Sequence, residues 1–488
     1  MEQEGRTKAF LMVVVAVFTA LTMVSYLDLL GIAALIAIPV AIAFFFWVFQ
    51  HPRNALTFTI ACAFLAIGLI RYVPDLPLGL TVDFALILAI VAAIFHTNLK
   101  TDFKILENGL IVVTVIWLLY NVAQIANPEA RSVAAWVYAV RGTALYMVLT
   151  IPLTLLYART NKDLTRFFEL IFFFSVLASI WGLRQYIFGV DAAEERWLNT
   201  GPRTTHILFG NLRVFSFFSD AGQFGAGIGH AGLMAAILAA GPFSIRNRLI
   251  FALLAILFLY LLVISGTRGA LFVPVAGAMA YLFASKNFST MTVGIVVLGA
   301  LIFFLKFTTI ANDNYQVRRM RSALDPEDAS LTVRKLNQER FKIYLSTRPF
   351  GGGIGTSGSW GQRFSPGTFL AETPNDSWYV KIWAEMGIVG LSLHLGILAY
   401  ISLMGLLKIW KVKDPRLRQK LLALFGGNFG IIVASYGNPI LGQMPTGIII
   451  YMSWAYFFLA EELDNELQDK NTKKITNHDS AAYLHHHH

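Results

Sequence analysis

"LIVVTVIWLLYNVAQIA" (110–126) contains no charged residue. With its flanking residues it is long enough to cross a bilayer as a helix, which takes roughly 20 mostly apolar residues. Runs of this kind recur along nearly the whole chain, "AFLMVVVAVFTALTMVSYL" (9–27) among them. The composition follows suit: 56% hydrophobic and 14% charged, against about 45–50% and about 25% for an ordinary soluble domain. An all-α polytopic membrane protein is the expectation, with about 12–14 transmembrane helices.

Direct reading places candidate spans near 9–27, 30–49, 55–70, 82–96, 108–126, 133–157, 167–188, 214–240, 248–265, 269–285, 290–309, 379–407, 419–436 and 443–461. No repeat at a fixed period is visible, so residues 1–464 read as one integral domain with a large insertion, and 465–488 as a cytoplasmic tail. No cleavable signal peptide is apparent, and the terminal "HHHH" (485–488) looks like an expression tag. The lone Cys62 excludes disulfides and cysteine metal sites within one chain. The excess of 39 Lys+Arg over 29 Asp+Glu fits cytoplasmic loops and anionic headgroups better than nucleic acid.

With the N-terminus in the cytoplasm, the inner loops are "HPRN" (51–54), "NLKTDFK" (98–104), "ARTNKDLTR" (158–166), "SIRNR" (244–248), "SKN" (285–287) and "WKVKDPRLRQK" (410–420), each with Lys or Arg. The opposite orientation would export all of them, against the positive-inside rule. The C-terminus is then also cytoplasmic. The outer side receives two long segments, 189–213 and 310–375, and the short "SGTRG" turn (265–269).

Arginines stand where positive-inside bias does not expect them: Arg184, Arg203, Arg213, Arg268 and Arg340 on the outer side, Arg141 in the outer half of the sixth span. An arginine at a span end commonly snorkels to lipid phosphates, which accounts for Arg184, Arg203 and Arg131. Arg340 differs. In "LTVRKLNQERFKIYL" (331–345) helical spacing sets it between Val333, Leu336, Ile343 and Tyr344, with Lys335, Glu339 and Lys342 on the other face. An arginine centred on an apolar stripe is expected to be tucked against the protein and to need an anion: Asp220, Glu372, Asp376 or a ligand phosphate. Arg213 precedes "VFSFFSDAGQFGAGIG" (214–229), whose Gly225 and Gly229 allow close helix packing. Arg268 lies between Gly266 and Gly269, where backbone N–H groups at a helix start assist anion binding. Planar guanidinium forks from distant parts of one chain suit a pyrophosphate.

Four stretches in order, "RVFSFFSDAGQFG" (213–225), "SGTRGALFVPVAG" (265–277), "RFKIYLSTRPFGGGIG" (340–355) and "NDSWYVKIWAEMGIVGL" (375–391), resemble the bacterial O-antigen ligase and polymerase superfamily. The resemblance covers residues 205–410 well and the first two hundred only through hydropathy. It implies a GT-C-like fold with a large periplasmic loop containing short helices. It further implies an inner-membrane glycosyltransferase that draws on an undecaprenyl-pyrophosphate-linked glycan donor. The acceptor would be a glycan or lipid A–core, and the active site would be periplasmic. Residues matching Arg213 and Arg268 by motif are implied to bind the pyrophosphate, and Arg141 is grouped with them. Transfer would be inverting and metal-independent, with no cofactor; the native chain has no HxH, CxxC or HExxH pattern.

This sequence departs from the family at one point. The family usually carries a His-Asn pair before a motif like "AEMGIVGL"; here Asp376 occupies the place of the histidine. Asp376 either accepts the hydroxyl proton or caps the following helix. His206 is the reserve base, since His51 and His96 are expected inside and His230 and His394 within spans. Arg340 completes the catalytic candidates. Glu385 is expected to pair with Lys381 four residues earlier. "GGGIGTSGSWG" (351–361) lacks the GK[ST] of a P-loop and reads as a bending loop, with Trp360 as a candidate sugar-stacking residue. The missing histidine and the span count favour a polymerase over a ligase. The competing readings are a transporter or flippase of lipid-linked glycan, and a scaffold without chemistry. The outer, rather than midplane, placement of the arginines counts against the transporter.

Overall fold

The computed structural model describes residues 39–95, 102–325, 329–470 and 472. The predicted span at 9–27, the first half of that at 30–49, His96, most of the 98–104 loop and the tag lie outside the described residues. Among the described residues, ten helices are long and apolar enough to cross a membrane. The protein is an all-α polytopic membrane protein.

The chain begins with α1 (Pro39–Gln50), α2 (Pro52–Leu69), α3 (Thr81–Phe95) and α4 (Gly109–Ala123). The span at 133–157 is α5 (Val133–Val140), a π turn over Arg141–Leu145, and α6 (Tyr146–Tyr157). Next comes α7 (Asn161–Phe188), begun by a capping box in which Thr160 and Asp163 bond reciprocally. The segment after it holds two short helices, α8 (Ala192–Asn199) and α9 (Arg203–His206), and a two-stranded antiparallel hairpin of β1 (Ile207–Leu208) and β2 (Asn211–Leu212).

Four more apolar helices follow: α10 (Ala221–Ala239), α11 (Ile245–Ile264), α12 (Phe272–Ser285) and α13 (Phe288–Phe307). The insertion contains short helices, as the sequence suggests: α14 (Tyr315–Arg321), α15 (Ala329–Leu345), α16 (Gly358–Phe364) and α17 (Phe369–Glu372). The bundle closes with α18 (Trp378–Lys411), α19 (Pro415–Ala434) and α20 (Thr446–Phe458). The spans expected at 419–436 and 443–461 are present as α19 and α20 but are not among the ten. α19 starts in the basic "PRLRQK", and α20 has only 13 residues. Every residue from Thr446 to Phe457 is buried, so α20 is core on all sides and need not match the thickness of a bilayer.

The "SGTRG" turn is drawn onto α10. Gly225 and Gly229 of α10 let α11 close in: a Cβ at these positions would stand 2.4 Å from Ser265 Oγ and Leu262 Cδ1. α18 is broken at Gly387, whose φ of 67° and ψ of −170° are non-helical. The glycine-rich stretch fills that break. Gly352 N–H donates to Ala384 O at 2.9 Å, Gly353 N–H to Glu385 O at 2.8 Å, and Val389 N–H to Pro349 O at 3.2 Å. Residues 349–353 thereby satisfy backbone groups that the break leaves without a helical partner.

Candidate active site

The hairpin sets the first two side chains. Ile207 pairs with Leu212 and Leu208 with Asn211. The ladder runs one step further, with Arg213 N–H donating to His206 O at 2.8 Å. His206 and Arg213 are thereby held opposite one another. Arg213 donates from one terminal nitrogen to Thr205 O at 2.9 Å and from the other to Thr267 Oγ at 2.8 Å. The Thr267 hydroxyl in turn donates to Ala221 O at 2.9 Å. One threonine therefore ties the hairpin, the start of α10 and the "SGTRG" turn together, and its neighbour is Arg268.

Two arginines from the insertion join this group. Arg319 of α14 donates Nε–H to Gly266 O at 2.7 Å, and Arg268 donates to Ser322 Oγ at 3.3 Å. Arg334 of α15 approaches Asp376 at 3.8 Å. All four arginines line one cavity of about 860 Å³, together with His206, Asp220 and Asp376. Its far wall is the segment after α19, with Tyr436, Gly437 and Asn438. Burial, then the neighbouring Arg319 guanidinium, lowers the Arg213 pKa to about 10, partly offset by Asp220. Arg213 therefore remains a cation at neutral pH, crowded by like charge, and an anion in the cavity would relieve it.

Asp376 is 56% exposed at its side chain. The expectation that it caps α18 is corrected: the capping oxygen is that of Ser377, which accepts from Val380 N–H at 3.4 Å. The carboxylate of Asp376 is left facing Arg334. Asn375 beside it donates to Ser357 Oγ at 2.7 Å, and Ser357 donates to the buried Glu385 carboxylate at 2.7 Å. Glu385 is thus held by Ser357 rather than by Lys381, whose ammonium lies 5.5 Å from the centre of the Trp378 ring.

His206 is buried between Trp197 and Phe215, each with its ring centre 5.2 Å away. Its Nδ1 lies 2.9 Å from Pro202 O, and a carbonyl can only accept, which assigns the proton to Nδ1. Nε2 then carries a lone pair, and it is buried without a hydrogen-bond partner. Burial lowers the pKa of His206 below its ordinary value, with smaller opposing contributions from Pro202 and Asp220.

Two expected members are elsewhere. Arg141 is not among the cavity-lining residues; it pairs with Asp83 at 3.1 Å, and Tyr146 donates to the same carboxylate oxygen at 3.0 Å. Arg340 is exposed, as are Val333, Leu336 and Ile343 around it. The buried side of α15 is Asn337, Phe341 and Leu345 instead. The helix therefore docks on the face one step round from the apolar spacing, with Phe341 and Leu345 packed against Leu370, Val380 and Ala384, so the stripe did not mark the protein-facing side. Trp360 stacks on Tyr138 at 4.8 Å and near Phe364, outside the cavity. Arg184 does not snorkel: it bonds Glu194 at 2.9 Å and lies 3.5 Å from Asp191. Arg203 pairs with Glu195. Of the span histidines, His394 accepts from Trp378 Nε1–H at 2.9 Å and packs at a tilt against Trp117, with ring centres 4.8 Å apart.

The sequence reading passed over Arg319, Arg334 and Arg71. Arg71, just beyond α2, donates to the carbonyls of Ser216 and Phe218. Its guanidinium sits 4.3 Å and 4.5 Å from the ring centres of Trp197 and Phe215. It anchors the turn that leads from Arg213 into α10. The same argument from an outer-side arginine would have found it in "GLIRYVPD" (68–75).

Residues 251–395 match the O-antigen ligase family model. The matched segment runs from within α11 to within α18, and carries Thr267, Arg268, Arg319, Arg334 and Asp376. It supports placing the chain with the O-antigen ligase and polymerase superfamily. His206 and Arg213 lie ahead of the match and reach the same cavity through the hairpin. No curated protein matches the chain at a significant level.

Proposed function

We propose that the chain transfers a glycan from undecaprenyl pyrophosphate to an acceptor hydroxyl at the periplasmic face of the inner membrane, in O-antigen or exopolysaccharide assembly. The observation that carries this reading is the convergence of Arg213, Arg268, Arg319 and Arg334 on a cavity that also holds Asp376 and His206. The acceptor oxygen forms a bond to the anomeric carbon, and the bond from that carbon to the pyrophosphate oxygen breaks. The bonding pair leaves with the lipid pyrophosphate, where fixed guanidinium groups stabilise the growing charge. The hydroxyl proton passes to the Asp376 carboxylate. Back-side attack inverts the anomeric centre, and the arginines take the electrostatic role that a metal ion fills in other transferases. Polymerisation is the form of the reaction we favour over ligation to lipid A–core, because Asp376 stands where the family usually has histidine.

The test uses the purified full chain in detergent with an undecaprenyl-pyrophosphate oligosaccharide, with and without lipid A–core, and mass spectrometry of the products. Longer lipid-linked glycan without lipid A–core is the expected result. Product only with lipid A–core makes the chain a ligase. Donor binding without product in either mixture moves the assignment to a transporter of lipid-linked glycan.

A further inference from the structure

The hairpin that pairs His206 with Arg213 turns at Phe209 and Gly210, both in the left-handed region with φ of 51° and 76°. Gly210 suits such a two-residue turn, and Asn or Asp commonly fills the first place. A phenylalanine there is an outlier, because its Cβ crowds the neighbouring carbonyl. The ring recovers nothing from this fold: Phe209 is 89% exposed. A strained, exposed aromatic at the edge of a functional cavity points to what it meets outside the chain.

What surrounds the ring narrows the choice. Phe209, Asn211, Tyr315, Arg318 and Arg319 line a second cleft of about 350 Å³. Tyr315 donates its hydroxyl to Leu208 O at 3.4 Å, which fixes α14 beside the hairpin tip. Arg319 lines both this cleft and the arginine-rich cavity. One apolar ring flanked by an amide, a phenol and guanidinium groups suits a pyranose, which offers an apolar C–H face and a rim of hydroxyls. A bare lipid tail would leave the polar groups of the cleft unmatched.

We infer that the cleft between the hairpin tip and α14 is a saccharide subsite, with Phe209 as its stacking platform, for sugar units whose reacting end lies in the arginine-lined cavity. The inference rests on the glycosyltransferase reading and assigns its sugar recognition to a place apart from the pyrophosphate arginines. Arg319 sits at the junction, so the sugar and the anion are read on two sides of one side chain.

The test compares wild type, Phe209→Ala and Phe209→Trp by binding in detergent. Three probes are used: undecaprenyl pyrophosphate without sugar, the lipid-linked glycan purified from the cells that make this protein, and the lipid-free glycan released from it. Phe209→Ala should weaken the sugar-bearing probes by about 3–10-fold, the share of one aromatic contact, and leave sugar-free undecaprenyl pyrophosphate unchanged. Phe209→Trp should restore binding. Loss with the lipid-linked glycan alone places the donor in the subsite; loss with the free glycan as well opens it to the acceptor. Equal affinities in all three proteins overturn the inference. So does weaker association of Phe209→Ala with phosphatidylethanolamine–phosphatidylglycerol vesicles with no sugar-dependent loss, which would make Phe209 a membrane contact. Failure of wild type to bind undecaprenyl pyrophosphate, with free-glycan binding still lost in Phe209→Ala, would sink the donor reading and leave the saccharide subsite standing.

Discussion

Lysine in place of Arg268 would keep the positive charge and discard the planar fork. A pyrophosphate leaving group engaged by two parallel N–H bonds should register that loss, because an ammonium offers a point charge instead. Arg268→Lys is expected to lower turnover by about 10–100-fold, the value of one or two charge-assisted bonds, in protein that remains folded. Turnover near wild type would remove Arg268 from the leaving group. The base is separable by a second pair of variants. Asp376→Asn should reduce turnover more than donor affinity, while His206→Ala keeps most of the rate. The alternative has its own signature. Burial holds the His206 pKa below 6.5, so its imidazole is neutral and proton-accepting above that lowered value and cationic below it. A rate that falls only on acidification past pH 6.5, with His206→Ala as the damaging change, would transfer the role to His206. Arg213, Arg268 and Asp376 were legible because motif stretches carry them. Arg334 and Arg340 were not separable, since both sit on one helix and the apolar spacing pointed outward. Nor does anything local announce that Arg141 meets Asp83, a carboxylate on another helix.

Among the elements, the break in α18 does most to shape the region around Asp376. A Cβ at Gly387 would stand 2.0 Å from Pro349 O, and its φ of 67° disfavours any side chain. Gly387→Ala is expected to cost at least about 1–3 kcal/mol from the backbone alone, with further loss as residues 349–353 are pushed off the helix. Thermal unfolding in detergent should show a lowered Tm together with lost transfer; an unchanged Tm would mean that the break is not held by that contact. The turn after Arg213 depends on a different anchor. Arg71 is pushed down to about 10 chiefly by burial and remains charged, bonded to two carbonyls between two rings. Arg71→Gln should destabilise the fold by about 1.5–3 kcal/mol, the value of hydrogen bonds from a charged donor to buried carbonyls, and reduced unfolding temperature is again the measurement. Hydropathy located most spans within a few residues: 108–126 is found as Gly109–Ala126, and 269–285 as Arg268–Ser285. It could not show the break, because one glycine in "AEMGIVGL" leaves the apolar run unchanged. Nor could it show that α20 is enclosed by protein, because lipid and protein interior demand the same residues.

For the whole molecule, the decisive question is which side of the membrane the cavity occupies. The cavity is lined by Asp376, just before α18, and by Val433 and Ala434 at the end of α19, whereas Lys413, between α18 and α19, stands at the other end of both helices. The basic loops all fall on the Lys413 side under the positive-inside reading. With Cys62 as the lone cysteine, a Cys62→Ala background needs one change, and Thr200→Cys and Lys413→Cys each place a single exposed thiol at one end. An impermeant maleimide added to spheroplasts should label the first and spare the second until the membrane is opened. The reverse pattern would place the arginines in the cytoplasm, where nucleotide-activated sugars are available. The need for a lipid-linked donor would then disappear, although the cavity would still offer its guanidinium groups to a phosphate. Labelling at Thr200 alone leaves lipid pyrophosphate as the donor that combines an anchor in the bilayer, the charge those arginines match and a sugar placed to reach Phe209.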